Sequence, residues 1–131
     1  MPAQPGVIQF DMINPFMEQD KADLDRVAYA KMLIEENKAQ DAILCLEAEV
    51  QKNKANSEAW RMLGQLYQEN DQDDFAIIAL REAHQADPYD LESLLALGVS
   101  CTNEHDRLDA YKYLHMWLKF HPDFQSLPGV Q

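Results

Sequence analysis

The stretch SEAWRMLGQLYQENDQDDFAIIALREAHQADP, Ser57–Pro88, aligns without a gap with LESLLALGVSCTNEHDRLDAYKYLHMWLKFHP, Leu91–Pro122. Residues of similar size recur at a constant offset of 34. The matched pairs are Trp60 with Leu94, Leu63 with Leu97, Gly64 with Gly98, Tyr67 with Cys101, Ala76 with Ala110, Leu80 with Leu114, and Pro88 with Pro122. The chain therefore contains an internal repeat, and a constant period of this length indicates an architecture of stacked repeats.

Each recurring residue has a packing role in a pair of helices. The large residue and the leucine are three positions apart, so they share one face of a first helix. Gly64 and Gly98 lack a Cβ and permit the second helix to approach closely, although such a glycine costs about 1 kcal/mol in a helix interior. Pro88 and Pro122 stop the second helix. The order large residue, Leu, Gly, Ala, Leu, Pro is the tetratricopeptide pattern.

A degenerate repeat precedes these two. Ala42 and Leu46 match Ala76 and Leu80, whereas Ala30 takes the glycine position and Lys54 replaces the terminal proline. Terminal repeats are often atypical because one side lacks a neighbour. The predicted fold class is all-α, a tetratricopeptide superhelix (a right-handed α-solenoid) of three helical hairpins. The predicted segments are an N-terminal arm (1–19), the degenerate repeat (20–56), two repeats (57–90 and 91–122) and a C-terminal tail (123–131).

Two features at the end of the last repeat lead to further expectations. The last helix, LDAYKYLHMWLKF, is apolar on several sides, and we expect nothing after it to cover that surface. The chain is then either a fragment that lacks its next repeat or a protein that dimerises through this end. The turn TNEHDRL contains neither glycine nor proline. We therefore hypothesise that the third hairpin opens into one longer helix.

Composition excludes several classes of function. A chain of 131 residues that is 47% apolar suits one globular domain, and its net charge of −12 would repel nucleic acid and acidic membranes. No apolar run approaches the roughly 20 residues of a membrane span. Cys45 and Cys101 lie in apolar helical patterns and are expected to be buried, reduced thiols of a cytosolic protein. The histidines have no metal-ligand spacing and no glycine-rich phosphate loop occurs, so we expect no enzyme activity, metal or cofactor.

The concave face of the superhelix is the predicted binding surface. In helical-hairpin solenoids the first helix of each repeat lines that face, where extended peptides bind. The predicted groove residues are Glu58, Arg61, Met62, Gln65, Gln68 and Glu69 in one repeat, and Glu92, Leu95, Ala96, Val99, Thr102 and Asn103 in the next. Their amide and hydroxyl groups can bond a peptide main chain, at about 0.5–1.5 kcal/mol net per bond. Glu69 and Glu92 can meet a basic side chain.

Alternative roles stay open for several of these residues. Asn103 ends a helix, where asparagine is common because it tolerates left-handed backbone angles. Thr102 can bond back to its own helix. Glu69 and Glu92 can be ordinary solvated surface residues.

The stretches EAWRMLGQLYQENDQDDFAIIALREAHQADP, LLALGVSCTNEHDRLDAYKYLHMWLKFHP and QDAILCLEAEVQKN resemble the N-terminal cluster of repeats of the receptor family for the type-1 peroxisomal targeting signal. The resemblance covers about residues 14 to 127, and VSCTNE is its most specific part. It implies seven such repeats in two clusters, which enclose a C-terminal Ser-Lys-Leu-type tripeptide on cargo proteins. It also implies a cytoplasmic receptor that cycles to the membrane of peroxisomes or related organelles.

The resemblance assigns roles to individual residues. Val99, Thr102 and Asn103 fall on groove positions, with Asn103 bonding the signal's main chain, and Glu69 falls near the signal's lysine. Cys101 departs from the family's usual large aromatic. The implied partners are the C-terminal targeting peptide of cargo, the downstream repeats of the same receptor, and peroxisomal docking proteins that bind regions outside this chain. The alternative is a generic tetratricopeptide scaffold that reads no C-terminal tripeptide.

Overall fold

The computed structural model describes residues 8, 10, 14–17, 25–124, 126, 128 and 129. These residues form one short 3-10 helix, Pro15–Met17, and six α-helices, with no strand among them. The helices are α1 (Arg26–Glu35), α2 (Ala39–Lys52), α3 (Ser57–Glu69), α4 (Asp73–Ala86), α5 (Leu91–Asn103) and α6 (Arg107–Phe120). The all-α prediction is confirmed, while the predicted boundary at residue 20 lies outside the described residues.

The helices pack as three consecutive hairpins, α1 with α2, α3 with α4, and α5 with α6. The second helix of each hairpin packs on the first helix of the next. The first helices of the second and third hairpins are close together, because α3 contacts α5 directly. The second helices of the same hairpins, α4 and α6, are joined instead by the long side chain of Arg81, which bonds Asp109 and Tyr113. The first helices therefore lie on the inner side of the stack, and we call the exposed side of α1, α3 and α5 the inner surface.

The three turns inside the hairpins have one geometry. Asn37, Asp71 and His105, spaced at the repeat period, adopt left-handed backbone angles with φ of 61°, 58° and 60°. In each turn a backbone N–H returns to a carbonyl five residues earlier. These bonds, all 2.8 Å long, join Lys38 to Leu33, Gln72 to Tyr67, and Asp106 to Cys101. They are the 6→1 bonds of a Schellman motif, which satisfies the last carbonyls of the helix.

The third hairpin is closed, so the expectation that it opens into one longer helix was wrong. The absence of glycine and proline suggested a poorly defined turn, but His105 takes the left-handed conformation that glycine usually provides. Histidine is among the residues that adopt such angles more often than most.

The recurring glycines allow close approach, as the repeat pattern predicts. A Cβ at Gly64 would lie 2.5 Å from Cγ of Leu80, and one at Gly98 would lie 2.5 Å from Cγ of Leu114. Real Cβ atoms do not reach such distances, so the two helices of each hairpin could not approach this closely with a larger residue. The core between the helices contains the fully buried leucines Leu46, Leu63, Leu80, Leu94 and Leu97, together with the buried aromatic residues Trp60, Tyr67 and Tyr113.

The described part of the N-terminal arm packs on the first hairpin. The side chain of Asn14 donates to the carbonyl of Leu44 at 2.7 Å, and its own oxygen accepts from the backbone N–H of Phe16 at 3.0 Å. The ring of Phe16 is buried beside Tyr29, with ring centroids 5.7 Å apart. The Asn-Pro-Phe sequence is thus an anchor for the arm.

The surface of α6 is only partly covered. Phe124 packs on Trp117 with ring centroids 5.6 Å apart, so the expectation that nothing after α6 covers it was wrong for this residue. Tyr111 and Leu108 remain 70% and 86% exposed.

Candidate functional site

Asn103 and Val99 lie together on the inner surface, near the end of α5. Both side chains are exposed, Val99 to 43%. Asn103 is the last helical residue of α5, Glu104 is the C-cap, and His105 carries the left-handed backbone angle. Asn103 therefore lies before the C-cap and does not have the left-handed backbone angle that the alternative role required.

A carboxylate from the preceding helix, α4, positions the side chain of Asn103. Its Nδ2 lies 3.4 Å from both carboxylate oxygens of Asp73, the first residue of α4. The hydroxyl of buried Ser100 also donates to Oδ1 of Asp73, at 2.8 Å. The pairing uses one N–H of the amide, and such a group has a second N–H and a carbonyl oxygen with which to bind a peptide main chain. The spacing of the repeat did not predict this role of Asp73.

Gln68 is engaged inside the protein, contrary to the expectation that its amide faces a peptide. Its Nε2 donates to the carbonyl of Ala96 at 3.0 Å and to the hydroxyl of Ser100 at 2.8 Å. These bonds join α3 to α5 across the inner surface. Together with the bonds of Asp73, they form a continuous polar network that runs from α3 to Asn103.

The hydroxyl of Thr102 bonds to its own helix. Its Oγ1 donates to the carbonyl of Gly98 at 2.7 Å, which is the back-bonding that the alternative role described. Thr102 is nevertheless an exposed residue, beside Asn103 on the inner surface.

The charged residues of the inner surface differ in whether they are paired. Arg61 lies 3.3 Å from the carboxylate of Asp90 and 3.2 Å from that of Glu92. Glu92 is therefore already neutralised in part, which disfavours its predicted role as a partner for a basic ligand. Glu69, the last residue of α3, is exposed and makes no ion pair with any residue that the structure describes. Glu69 is the carboxylate best placed to receive a cation.

Two adjacent cavities open beside Glu69. The larger, of about 290 Å³, lies between α1 and α3, and we call it the α1–α3 cavity. It is lined by Lys31, Ile34, Glu58, Arg61, Met62, Gln65, Leu66 and Glu69. The smaller, of about 180 Å³, is lined by Ala39, Gln40, Ile43, Leu66, Glu69 and Asn70. Gln65 and Glu69 were predicted as groove residues, whereas Lys31 and Ile34 were missed because the predicted groove was drawn only from the two later repeats.

The described residues offer little for catalysis. No three His, Cys, Asp or Glu side chains among them are grouped so as to hold a metal ion. Both cysteines are buried, and burial raises the pKa of the Cys101 thiol, which disfavours the nucleophilic thiolate. Within the same part of the chain no helix is long and apolar enough to cross a membrane.

Comparisons with known proteins give one consistent result. The chain is 43% identical over 93% of its length to "Peroxisome biogenesis protein 5" of Arabidopsis thaliana, and 38% identical over 84% to the "Peroxisomal targeting signal receptor" of Yarrowia lipolytica. A receptor of the same name from Eremothecium gossypii is 30% identical over 97% of the chain. The chain spans only 16%, 18% and 22% of the lengths of these three relatives.

A solved structure, "Crystal structure of MamA", matches the fold with a TM-score of 0.69 and 21% identity. The match covers 77% of this chain and 61% of the other. At this identity the likeness concerns the helical-repeat fold alone. No protein-family model matches the chain.

Proposed function

Since this chain belongs to the family of peroxisomal targeting signal receptors and spans about a sixth of the length of its curated relatives, we propose that it forms one wall of the groove with which such a receptor binds the C-terminal targeting peptide of a cargo protein. The observation that carries this proposal is the position of Asn103, which is exposed on the inner surface and held by Asp73. The chain acts by binding and not by catalysis.

In this proposal each inner-surface residue contributes a limited interaction. The amide of Asn103 bonds the main chain of an extended peptide, and Val99 and the methyl group of Thr102 contact its side chains. Glu69 pairs with the lysine of a Ser-Lys-Leu-type signal, and Gln65 offers a further amide one turn earlier on α3. A neutral hydrogen bond of this kind contributes only about 0.5–1.5 kcal/mol, so these residues must act together.

The terminal carboxylate of the signal requires a partner elsewhere. Carboxylates are bound most strongly by arginine and lysine, and Arg61 is already paired with Asp90 and Glu92. We assign the carboxylate to downstream repeats of the same receptor. The present segment alone should therefore bind a signal peptide weakly or not measurably. Contacts with peroxisomal docking proteins, and cycling between the cytoplasm and the organelle membrane, are assigned to the whole receptor.

The second candidate is a scaffold that holds a partner protein without reading a C-terminal tripeptide. The pairing of Arg61 favours it, because the stripe predicted from the sequence contains no other cation. In this alternative the inner surface binds an internal segment of the partner, and the C-terminal carboxylate of the partner contributes nothing to the affinity.

A peptide whose terminus is blocked distinguishes the two candidates. The full-length receptor would be titrated with a fluorescent peptide that ends in Ser-Lys-Leu, and with the same peptide carrying a C-terminal amide. Receptor function predicts at least about tenfold weaker binding of the amide, a difference of about 1.4 kcal/mol. Equal binding of the two peptides would support the scaffold.

A further inference from the structure

We infer that Arg81, on the outer side of the helix stack, is a positioning residue for the peptide site on the inner surface. It holds the second and third hairpins at a fixed angle, and this angle sets where Asn103 lies relative to the preceding hairpin. Arg81 acts through that angle without touching the peptide. The inference rests on the proposed function, because it takes Asn103 as a residue that binds the cargo peptide.

Arg81 bridges the second helices of two consecutive repeats. Its Nη2 lies 2.6 Å from the carboxylate of Asp109, and its Nε donates to the hydroxyl of Tyr113 at 3.2 Å. Both partners belong to α6, and the side chain of Tyr113 is only 4% exposed. A guanidinium group is planar and rigid, so two bonds to successive turns of one helix fix a direction as well as a distance.

A second bridge joins the same two hairpins on the inner side. Gln68 of α3 donates to the carbonyl of Ala96 and to the hydroxyl of Ser100, both on α5. The hairpins meet between the two bridges, where α4 packs on α5. A rotation about this contact that brings the hairpins together on one side separates them on the other. One bridge on each side therefore fixes the angle between the hairpins.

The binding residues are divided between these two hairpins. Glu69 ends α3 and Asp73 begins α4, whereas Asn103 ends α5. The amide of Asn103 lies 3.4 Å from both carboxylate oxygens of Asp73. This distance is already longer than the usual range of about 2.7–3.2 Å, so a small opening of the joint would break the pairing. The angle between the hairpins therefore decides whether Asp73 holds Asn103.

The joint between the first and second hairpins is built differently. The residue 34 positions before Arg81 is Glu47, whose carboxylate accepts from the hydroxyl of Tyr67 on a first helix, α3. The residue 34 positions before Gln68 is Ile34, which has no polar group in its side chain. Stacking in this chain does not in general require the two bridges. They occur at the joint between the hairpins that share the binding residues.

The pairing of Arg81 with Asp109 should contribute little to overall stability. The two side chains are 43% and 35% exposed, and ion pairs exposed to this extent add little to folding. Loss of the outer bridge should therefore leave the protein folded and change mainly the angle between the hairpins. Peptide affinity and stability then respond separately.

The test measures the affinity of the full-length receptor for a peptide that ends in Ser-Lys-Leu, in two variants that break the outer bridge. Arg81→Met keeps an unbranched side chain but removes the guanidinium group, and Asp109→Ala removes its acceptor. We expect each variant to weaken binding about threefold to tenfold. The variants change the net charge in opposite directions, so long-range attraction of a basic peptide cannot weaken binding in both.

Two control variants make the same changes of charge on α2. Asp41 lies two repeats before Asp109, at the equivalent position in the first turn of its helix. Lys52 is the last residue of α2. Both are exposed, and neither forms an ion pair with a residue that the structure describes. Asp41→Ala and Lys52→Met should bind the peptide as the wild type does.

Double variants with Asn103→Ala separate positioning from a merely structural role. In the wild-type receptor Asn103→Ala should weaken binding more than about fivefold, whereas in Arg81→Met or Asp109→Ala it should weaken binding less than about twofold. The reason is that Asn103 is no longer held in place once the outer bridge is lost. A merely structural effect would add to that of Asn103→Ala and leave it unchanged.

The outcomes separate this inference from the proposed function. Wild-type affinity in either folded variant overturns it, as does an unchanged effect of Asn103→Ala in the variants, while tripeptide recognition stands. If one variant fails to fold, the other decides. If both fail, the bridge is structural and the inference is wrong. If no Ser-Lys-Leu peptide binds to the wild type, or if Asn103→Ala has no effect there, the proposed role of Asn103 fails and this inference fails with it.

Discussion

Asp73 at the start of α4 holds the amide of Asn103 at the end of α5, with Nδ2 3.4 Å from both carboxylate oxygens. The two residues are 30 positions apart and belong to consecutive repeats. A residue at the end of a helix is thereby positioned as a binding group, because its orientation is set by a neighbouring helix and not by its own turn.

Replacing Asp73 should weaken ligand binding through Asn103. Asp73→Ala removes the acceptor of both Asn103 and Ser100, and we expect peptide affinity of the full receptor to fall about threefold to tenfold. Stability should fall by about 1 kcal/mol, because the hydroxyl of buried Ser100 loses its acceptor. Peptide titration and chemical denaturation measure the two effects. Asp73→Asn keeps an acceptor oxygen and should stay close to wild type; unchanged binding in Asp73→Ala would show that the pairing does not position Asn103.

The third turn should become more stable when its left-handed residue is replaced by glycine. His105 has a φ of 60°, which is unfavourable for a residue with a Cβ, so His105→Gly should stabilise the protein by about 0.5–1 kcal/mol. Glu104, with a φ of −88°, is the matched control, because glycine there relieves no strain and only adds freedom to the unfolded chain. Urea denaturation of both variants measures the difference. A gain in Glu104→Gly equal to that in His105→Gly would argue against this turn geometry.

Stability should fall in mildly acidic solution because of His84. Burial, and secondly the positive charge of Lys112, lower the pKa of His84 below its ordinary value of 6.5. Its ring lies edge-on to that of Tyr113 on α6, with centroids 5.9 Å apart. The unfolded chain therefore takes up the proton more readily than the folded protein as the pH drops through about 6.5 and below.

The corresponding experiment compares melting temperatures at pH 7.5 and pH 5. Wild type should lose stability at the lower pH, and His84→Gln, which does not titrate, should lose less. All other histidines are common to both proteins, so the comparison isolates His84. An identical loss in the two proteins would mean that His84 does not contribute.

Enlarging Gly98 should destabilise the third hairpin. A Cβ at this position would lie 2.5 Å from Cγ of Leu114, so α5 and α6 must separate or Leu114 must move. Overpacking of this kind costs about 1–3 kcal/mol, which the better helix propensity of alanine offsets by about 1 kcal/mol. We expect a net loss of up to about 2 kcal/mol for Gly98→Ala by denaturation. Leu95→Ala, at an exposed position of the same helix, should change stability by less than about 0.5 kcal/mol.

The part of the fold set by local periodicity could be predicted from the sequence. The offset of 34 placed the helices, the close-packed glycines and the three hairpins, because each depends on residues within one repeat. The closed third turn was missed, since a left-handed histidine has no signature as clear as that of glycine. The sequence analysis overstated the exposure of the α6 surface, because Phe124 packs on Trp117.

The site was harder to predict, because it depends on contacts between repeats. Spacing placed Gln65, Glu69, Val99 and Asn103 on the inner surface but could not show that Gln68 reaches Ser100. Nor could it show the α1–α3 cavity, because the side chains that line it come from two separate helices. The helix-capping alternative for Asn103 could be rejected only once the backbone angles of the turn were known.

The measurement that tests the central claim most directly is the affinity of Asn103→Ala for a Ser-Lys-Leu peptide in the full-length receptor. Thr102→Val is the matched control, because the Thr102 hydroxyl donates to the carbonyl of Gly98. We predict that Asn103→Ala weakens binding by more than about 1 kcal/mol with nearly unchanged thermal stability, and that Thr102→Val affects binding much less. Full affinity in Asn103→Ala, together with reduced stability, would contradict the account and make Asn103 a structural residue.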